Sequence, residues 1–330
     1  EQSISMVFGR EKKMMVRKRV FVVTGWLLAT HGVQSIGLSG CDDGETLSEG
    51  ESELPSREER LAVIEAEVEA MHNGERARWF SFFTEDAMIE DPVGAPPFYN
   101  DASEGQQRLE DFWDALVVPL KFHYSSTGEY VVGLHVARDV HVAVTMGETE
   151  ATIDSHALYE LAYENDTLKI RRVNVYWSGP PLFEQLMREG TSAFPDVMNA
   201  MTKIVRVLGL EGTMALFGAT LRGPGAAGPT AVEAFVDALN EGDESALVAE
   251  MHSEAAAIHF PYGTDPLSPA ALLAAWGDGA SLEVFELRSC GWVTTCRFEL
   301  TGDQGTREGL AYFTFNKQSK KIELARFYWE

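Results

Sequence analysis

A carboxylate placed at the end of an apolar strand, immediately before a proline, has the makings of a base. Asp91 holds that position in the run Ile89-Glu90-Asp91-Pro92-Val93-Gly94. Burial in an apolar pocket raises a carboxyl pKa and makes the ionised form a better proton acceptor. Pro92 restricts the backbone behind it. A second acid, Glu67, follows Val63 and Ile64 at helical spacing and so can share their inward face. The other reading is a solvated acid in the series Glu65, Glu67, Glu69. Further along, Ile153-Asp154-Ser155-His156 puts Asp154 and His156 on one face of a strand by its period of two. Either can point into a pocket, or both can be structural or exposed. His123 and His141 are weaker candidates of the same kind.

The elements around these residues occur twice. Ser56-Arg57-Glu58-Glu59 has the form of a helix-capping box, and Leu61, Ile64, Val68 and Met71 follow at helical spacing. Asn73-Gly74-Glu75 ends that helix. A short helix near Trp79 to Phe83 and the strand to Asp91 come next. From residue 230 the order recurs. Thr230-Ala231-Val232-Glu233 reads as a capping box, Val232, Phe235, Val236 and Leu239 make an apolar face, and Glu241-Gly242-Asp243 ends it. A helix through Leu247 and Met251 leads to Ile258-His259-Phe260-Pro261. Gln106 to Val117 reads as a helix, and its counterpart opens at Ser268-Pro269, a cap with proline in the first turn. Alternating, β-rich segments close each half: Tyr130–Met146, Thr152–Leu161 and Ile170–Trp177, then Leu282–Leu300, Leu310–Asn316 and Ile322–Trp329. Helices followed by antiparallel strands define an α+β class, and a period this long means tandem domains. The expected boundaries are 56–177 and 230–330. Between them, 178–229 is a helical connector whose apolar helices pack on the domains and which ends in a Gly/Pro linker, 222–229.

The chain has 330 residues, 27 basic and 51 acidic, for a formal charge of −24. Nucleic acid is excluded as a partner on this balance, because binding it needs a basic face. The basic residues cluster early: Lys12, Lys13, Arg17, Lys18 and Arg19 precede an apolar stretch, Val20 to Thr30. That order is the one expected of an export signal, too short to span a membrane comfortably. It runs to Leu38-Ser39-Gly40-Cys41, which resembles the lipobox of bacterial lipoproteins. The resemblance implies that residues 1–40 are an extension and signal peptide and that Cys41 carries lipid. Residues 41–55 then form an acidic tether, and the protein is exported and membrane-anchored. Two arrangements suit the remaining cysteines, Cys290 and Cys296: a disulfide across a hairpin, or two buried thiols on a strand pair.

Ile89-Glu90-Asp91-Pro92-Val93-Gly94, preceded by Phe83-Thr84-Glu85-Asp86-Ala87, resembles the bacterial ketosteroid isomerases of the nuclear-transport-factor-2-like and SnoaL-like superfamily. The resemblance implies a cone of helices against a curved antiparallel sheet over residues 58 to 177. The second half fits the same outline. It also implies proton transfer beside a carbonyl, with Asp91 as the base, in a cone lined by Phe83, Val93, Phe112, Trp113 and Trp177. The family's oxyanion-binding tyrosine falls on Glu67, which as a neutral acid could donate the same hydrogen bond or share a proton with Asp91. Asp154 and His156 lie where its second donor is found. In the second half the Asp91 position falls on Phe260 and the Glu67 position on Phe235, so that half lacks the base. Domains of this superfamily commonly pair through their sheets, which implies an internal pseudo-dimer.

No G-x-G-x-x-G after a strand, no P-loop, no H-E-x-x-H, no paired C-x-x-C and no G-x-S-x-G occurs, so no cofactor or metal is expected. Two functions remain. One is an isomerase-like enzyme acting on a small apolar carbonyl compound. The other is a lipoprotein that binds a ligand, or supports an assembly, without catalysis.

Overall fold

The computed structural model describes residues 54–253, 256–277 and 279–330. The expected lipidation site Cys41, the apolar stretch before it and the expected tether as far as residue 53 lie outside the described residues. Among the described residues no helix is long and apolar enough to cross a membrane.

Helix α1 (Arg57–His72) begins with the expected box: the Ser56 side chain accepts from Glu59 N, and Glu59 accepts from Ser56 N. Gly74, at φ +68°, provides the turn into α2 (Arg76–Ser81). Phe83 opens β1 (Phe83–Glu90) instead of closing that helix. Two short strands follow, β2 (Phe98–Tyr99) and β3 (Gln107–Arg108). The next helix, α3 (Leu109–Phe112), runs through a π-turn, Trp113–Val117, into α4 (Val118–Leu120). Four long strands complete the first half: β4 (Phe122–Val132), β5 (His135–Met146), β6 (Thr149–Glu164) and β7 (Thr167–Trp177).

The connector is α5 (Gly179–Arg188) and α6 (Phe194–Ala219), the latter interrupted at Gly209, where φ is 69° and ψ 173°. Helix α7 (Ala227–Glu241) starts before the box expected at Thr230. The Thr230 hydroxyl donates back to Ala226 O instead of capping. Pro229 is tolerated because first-turn N–H groups have no intrahelical acceptor. Helix α8 (Glu244–Glu250), β8 (Ala257–His259), α9 (Pro269–Ala275), β9 (Ser281–Cys290), β10 (Val293–Gly302), β11 (Gly305–Phe315) and β12 (Ile322–Tyr328) follow. Ser268 caps α9 as expected, accepting from Ala271 N.

The first sheet has the order β3-β2-β1-β7-β6-β5-β4, the second β8-β12-β11-β10-β9. From β1 and β8 onward the two orders correspond strand for strand, each with one parallel pair, β1 with β7 and β8 with β12. The architecture is α+β, with helices over one face of each sheet and a separate core behind each.

The opposite faces of the two sheets meet. Val93, Tyr130, Ala137, Leu158 and Tyr176 pack on Cys290, Val293, Leu310, Tyr312 and Tyr328 as a third apolar cluster. Tyr176 and Tyr312 stack edge to face with ring centroids 5.1 Å apart, and the Tyr312 hydroxyl donates to Ala157 O at 3.3 Å. A Cβ on Gly94 would lie 2.8 Å from Gly291 Cα, so the close approach of these two turns needs glycine. This contact explains why the described residues form one unit.

Cys290 and Cys296 are free thiols, and the disulfide alternative is not realised. The hairpin register pairs Cys290 with Val293. Cys290 therefore faces the first sheet, where its Sγ donates to Val93 O at 3.2 Å, while Cys296 points into the second core.

Candidate functional site

Alternation along the strands of the first sheet sorts its side chains between the cone and the second sheet. On β6, Ser155, Ala157 and Tyr159 face inward; on β5, Arg138, Val140 and Val142 do so; on β7, Val173, Val175 and Trp177. Together with α1, α2 and α3 they line a cavity of about 260 Å³. Glu67 and Asp91 both line it, and both are buried, at 3% and 8% exposure.

Each acid is bound to its own indole. Trp177 Nε1 donates to Asp91 Oδ1 at 2.9 Å. Trp79 Nε1 donates to Glu67 Oε1, whereas Glu67 Oε2 is buried with no partner among the described residues. Burial drives both pKa values up and the indole pulls back in each case: Asp91 rises to about 6 and Glu67 to about 7. No hydrogen bond joins the two, so the structure does not show the shared-proton arrangement. Burial first, and then the Asp91 carboxylate, holds the Tyr124 hydroxyl well above its usual range. Burial and then Glu67 do the same for Tyr159. Both phenols line the cavity as neutral groups. Arg138, almost fully buried, spans Glu65 and Glu129 at the rim, 2.7 Å from Glu129 Oε1.

Asp91, Tyr124, Ser155 and Val175 also line a second, apolar chamber of about 110 Å³ under α5 and α6.

Of the expected lining, Phe112 faces the first chamber and Trp177 the second. Phe83 and Trp113 are core residues instead, packed on Trp79 with centroids 4.6 and 5.2 Å away. Val93 turns to the inter-sheet cluster. Asp154 and His156 share a face, as the period of two requires, but it is the face away from the cone. Asp154 is exposed and meets His141 Nδ1 at 2.7 Å. His123 is also exposed, stacked on His72. The residue between Asp154 and His156, Ser155, is the one that lines the cavity.

His156 is fully buried between the sheets. Arg288 donates to its Nε2, which leaves Nδ1–H to donate to Thr295 Oγ1 at 2.7 Å. Burial, then Arg288 and Arg297, holds it well below its usual pKa, so it is neutral. Asp139, His156 and Glu286 bring ligand atoms within 4.8 Å of one another, a spacing a cation could use. The guanidiniums already fill that role: Arg288 lies 3.7 Å from Asp139 and 3.0 Å from Glu286, and Arg297 lies 3.8 Å from Asp139.

The second core shows the same positions closed. Phe260 packs on Trp329 with centroids 4.7 Å apart, where Asp91 and Trp177 are hydrogen-bonded in the first. Phe235, at the Glu67 position, packs on Phe313, and the Trp79 position falls on the buried Leu247.

Sequence reasoning placed Trp177 in the lining but missed its bond to Asp91, and it missed Trp79, the inward phenols and Arg138. A buried tryptophan carries an N–H that needs an acceptor, which was the available signal for Trp79 and Trp177.

No family model and no curated protein matches the chain. Solved structures similar to it include the Δ5-3-ketosteroid isomerase from Mycobacterium sp., 18% identical, covering 36% of this chain and 92% of that one, with a TM-score of 0.30. An LEH-like epoxide hydrolase from M. tuberculosis is 18% identical, covering 43% of this chain and 98% of its own, with a TM-score of 0.35. An NTF2-like protein of unknown function from Cytophaga hutchinsonii is 15% identical over 40% of this chain and 98% of its own, with a TM-score of 0.29.

Proposed function

We propose that the first cone transfers a proton beside the carbonyl of a small apolar compound, with Asp91 as base and Glu67 as a neutral hydrogen-bond donor. The observation that carries this reading is the pair of buried acids lining one cavity, each with a carboxylate oxygen on its own indole N–H. Burial raises both carboxyls toward neutral pH, so one can serve ionised as the base and the other protonated as the donor, the division of labour that acid–base catalysis requires. Asp91 would take a proton from the carbon next to the carbonyl. The C–H electrons move to the carbonyl oxygen, and the resulting enolate accepts a hydrogen bond from the Glu67 acid. The proton then returns to the γ-carbon of a β,γ-unsaturated ketone, the carbonyl re-forms, and Asp91 is again a carboxylate. Nothing is consumed beyond the ketone.

In this reading the second half is a copy that has lost the base, and its sheet serves as an internal partner in the place of a second subunit. Cys41 anchors the whole to a membrane.

The test is isomerisation of a β,γ-unsaturated ketosteroid by residues 56–330, with and without Asp91→Asn. Loss of about 10²-fold or more is expected of a general base. Equal traces of activity in both proteins would leave the cone as a ligand container without catalysis.

A further inference from the structure

The apolar chamber beside Asp91 is walled on one side by the first sheet and on the other by the connector. Val142, Val144 and Ile153 face Leu182, Met201 and Ile204 across it. The connector wall is not continuous. Helix α6 breaks at Gly209, whose positive φ separates the segment carrying Met201 and Ile204 from the segment carrying Leu216. The first segment packs Ala200 and Ile204 into the first core and is hydrogen-bonded to the β5–β6 turn by one side chain: Asp196 accepts from Glu148 N at 2.8 Å and from the Thr149 hydroxyl at 3.2 Å. Helix α5 is tied to β6 by Gln185, which accepts from Thr152 N at 2.9 Å and donates to Thr152 O at 2.8 Å. Most of these bonds lie at the surface, where water competes for them and each contributes little to holding the helices down.

We infer that α5 and the first part of α6 are a lid hinged at Gly209 over a tail-binding chamber. The ligand is then an amphiphile: one carbonyl-bearing end in the polar chamber and a slim aliphatic tail under the lid. At roughly 30 Å³ per water-sized group, a chamber of about 110 Å³ holds about three or four methylene-sized groups. Placement of the carbonyl end rests on the proton-transfer reading; the tail chamber and its lid do not.

Binding of a series of straight-chain 2-alkanones to residues 56–330, followed by calorimetry, tests the chamber. Affinity should rise about fourfold per added methylene, the equivalent of ~0.8 kcal/mol each, and then level off once the chamber is full. Met201→Trp fills the chamber and should flatten the series while leaving the shortest ketone unaffected. Asp91→Asn should keep the chain-length slope even though it abolishes proton transfer, which separates failure of this inference from failure of the proposed reaction. Affinity that ignores chain length, or a Met201→Trp protein of native melting temperature with an unchanged slope, overturns the chamber. Asp196→Ala, a surface change, tests the lid by stopped flow: association and dissociation should both speed up severalfold with the dissociation constant nearly constant. Unchanged rates overturn the lid.

Discussion

At the scale of single residues, the site depends on two buried carboxyls whose pKa values burial raises and an indole N–H pulls back in each case. Trp177 favours the ionised form of Asp91. Trp177→Phe removes that donor, so the Asp91 pKa should rise above about 6 and the acidic limb of the pH–rate profile should move up by roughly one pH unit. A hydrogen bond to a charged group is worth about 1.5–3 kcal/mol, and one pH unit corresponds to ~1.4 kcal/mol. A limb that stays in place would mean Asp91 is not the group titrating. Glu67 makes a prediction about stability. Both carboxyls bind protons more tightly folded than unfolded, so between about pH 4 and pH 7 the native state holds the extra protons. Their contribution to stability is fully present below the unfolded pKa values and is lost as pH rises through the folded ones. Glu67→Gln removes one such group, so its melting temperature should fall less than wild type between pH 5 and pH 8. Parallel melting curves would contradict the burial of Glu67. Asp91 was legible in the sequence because proline and the strand end mark it. The inward turn of Glu67 was not, because among Glu65, Glu67 and Glu69 the helical period alone leaves the facing open until the sheet is in place.

At the scale of elements, β6 shows why a correct period can still put side chains on the wrong surface. Asp154 and His156 do share a face, but the face is fixed by pairing with β5 and β7 and by the second sheet behind it. A one-residue change in facing exchanges the whole set. The consequences of mutation differ accordingly. Asp154→Ala should leave stability and activity unchanged, since among the described residues its only side-chain hydrogen bond is to exposed His141. His156→Ala strips buried contacts from Arg288 and Thr295 and should cost about 2–4 kcal/mol by denaturant titration, with the remaining folded protein still active. Loss of activity at full stability would instead return His156 to the site. The connector is a second case. Its apolar helices were readable as packing elements. That they roof a chamber was not, because the partner surface comes from strands far away in sequence.

At the scale of the whole molecule, the sequence suggests a repeat in its turns and its order of helices and strands, and the strand orders of the two sheets correspond from β1 and β8 onward. Sheet-to-sheet pairing was expected from the resemblance, but not the residues that make it. The alternating strands do not say which of their residues do so: Tyr176, Leu158 and Ala137 pack on Tyr312, Leu310 and Tyr328 of the other half. Residues 56–177 expressed alone would expose that surface and should dimerise or precipitate, while residues 56–330 should be monomeric by light scattering. A soluble monomeric first half would contradict the role proposed for the second. The N-terminal reading is tested by fractionation: Cys41→Ser should move the protein out of the membrane fraction, and a variant that stays there would remove the lipid anchor.

The account stands or falls on Asp91 being a buried base in a low-polarity cavity. Titration of the ¹³C-labelled aspartate carboxyls of residues 56–330 by NMR tests this without any assumption about the ligand. The account predicts one aspartate titrating near pH 6, absent from the spectrum of Asp91→Asn. An Asp91 signal that titrates near pH 4, as a solvated carboxyl does, would contradict it.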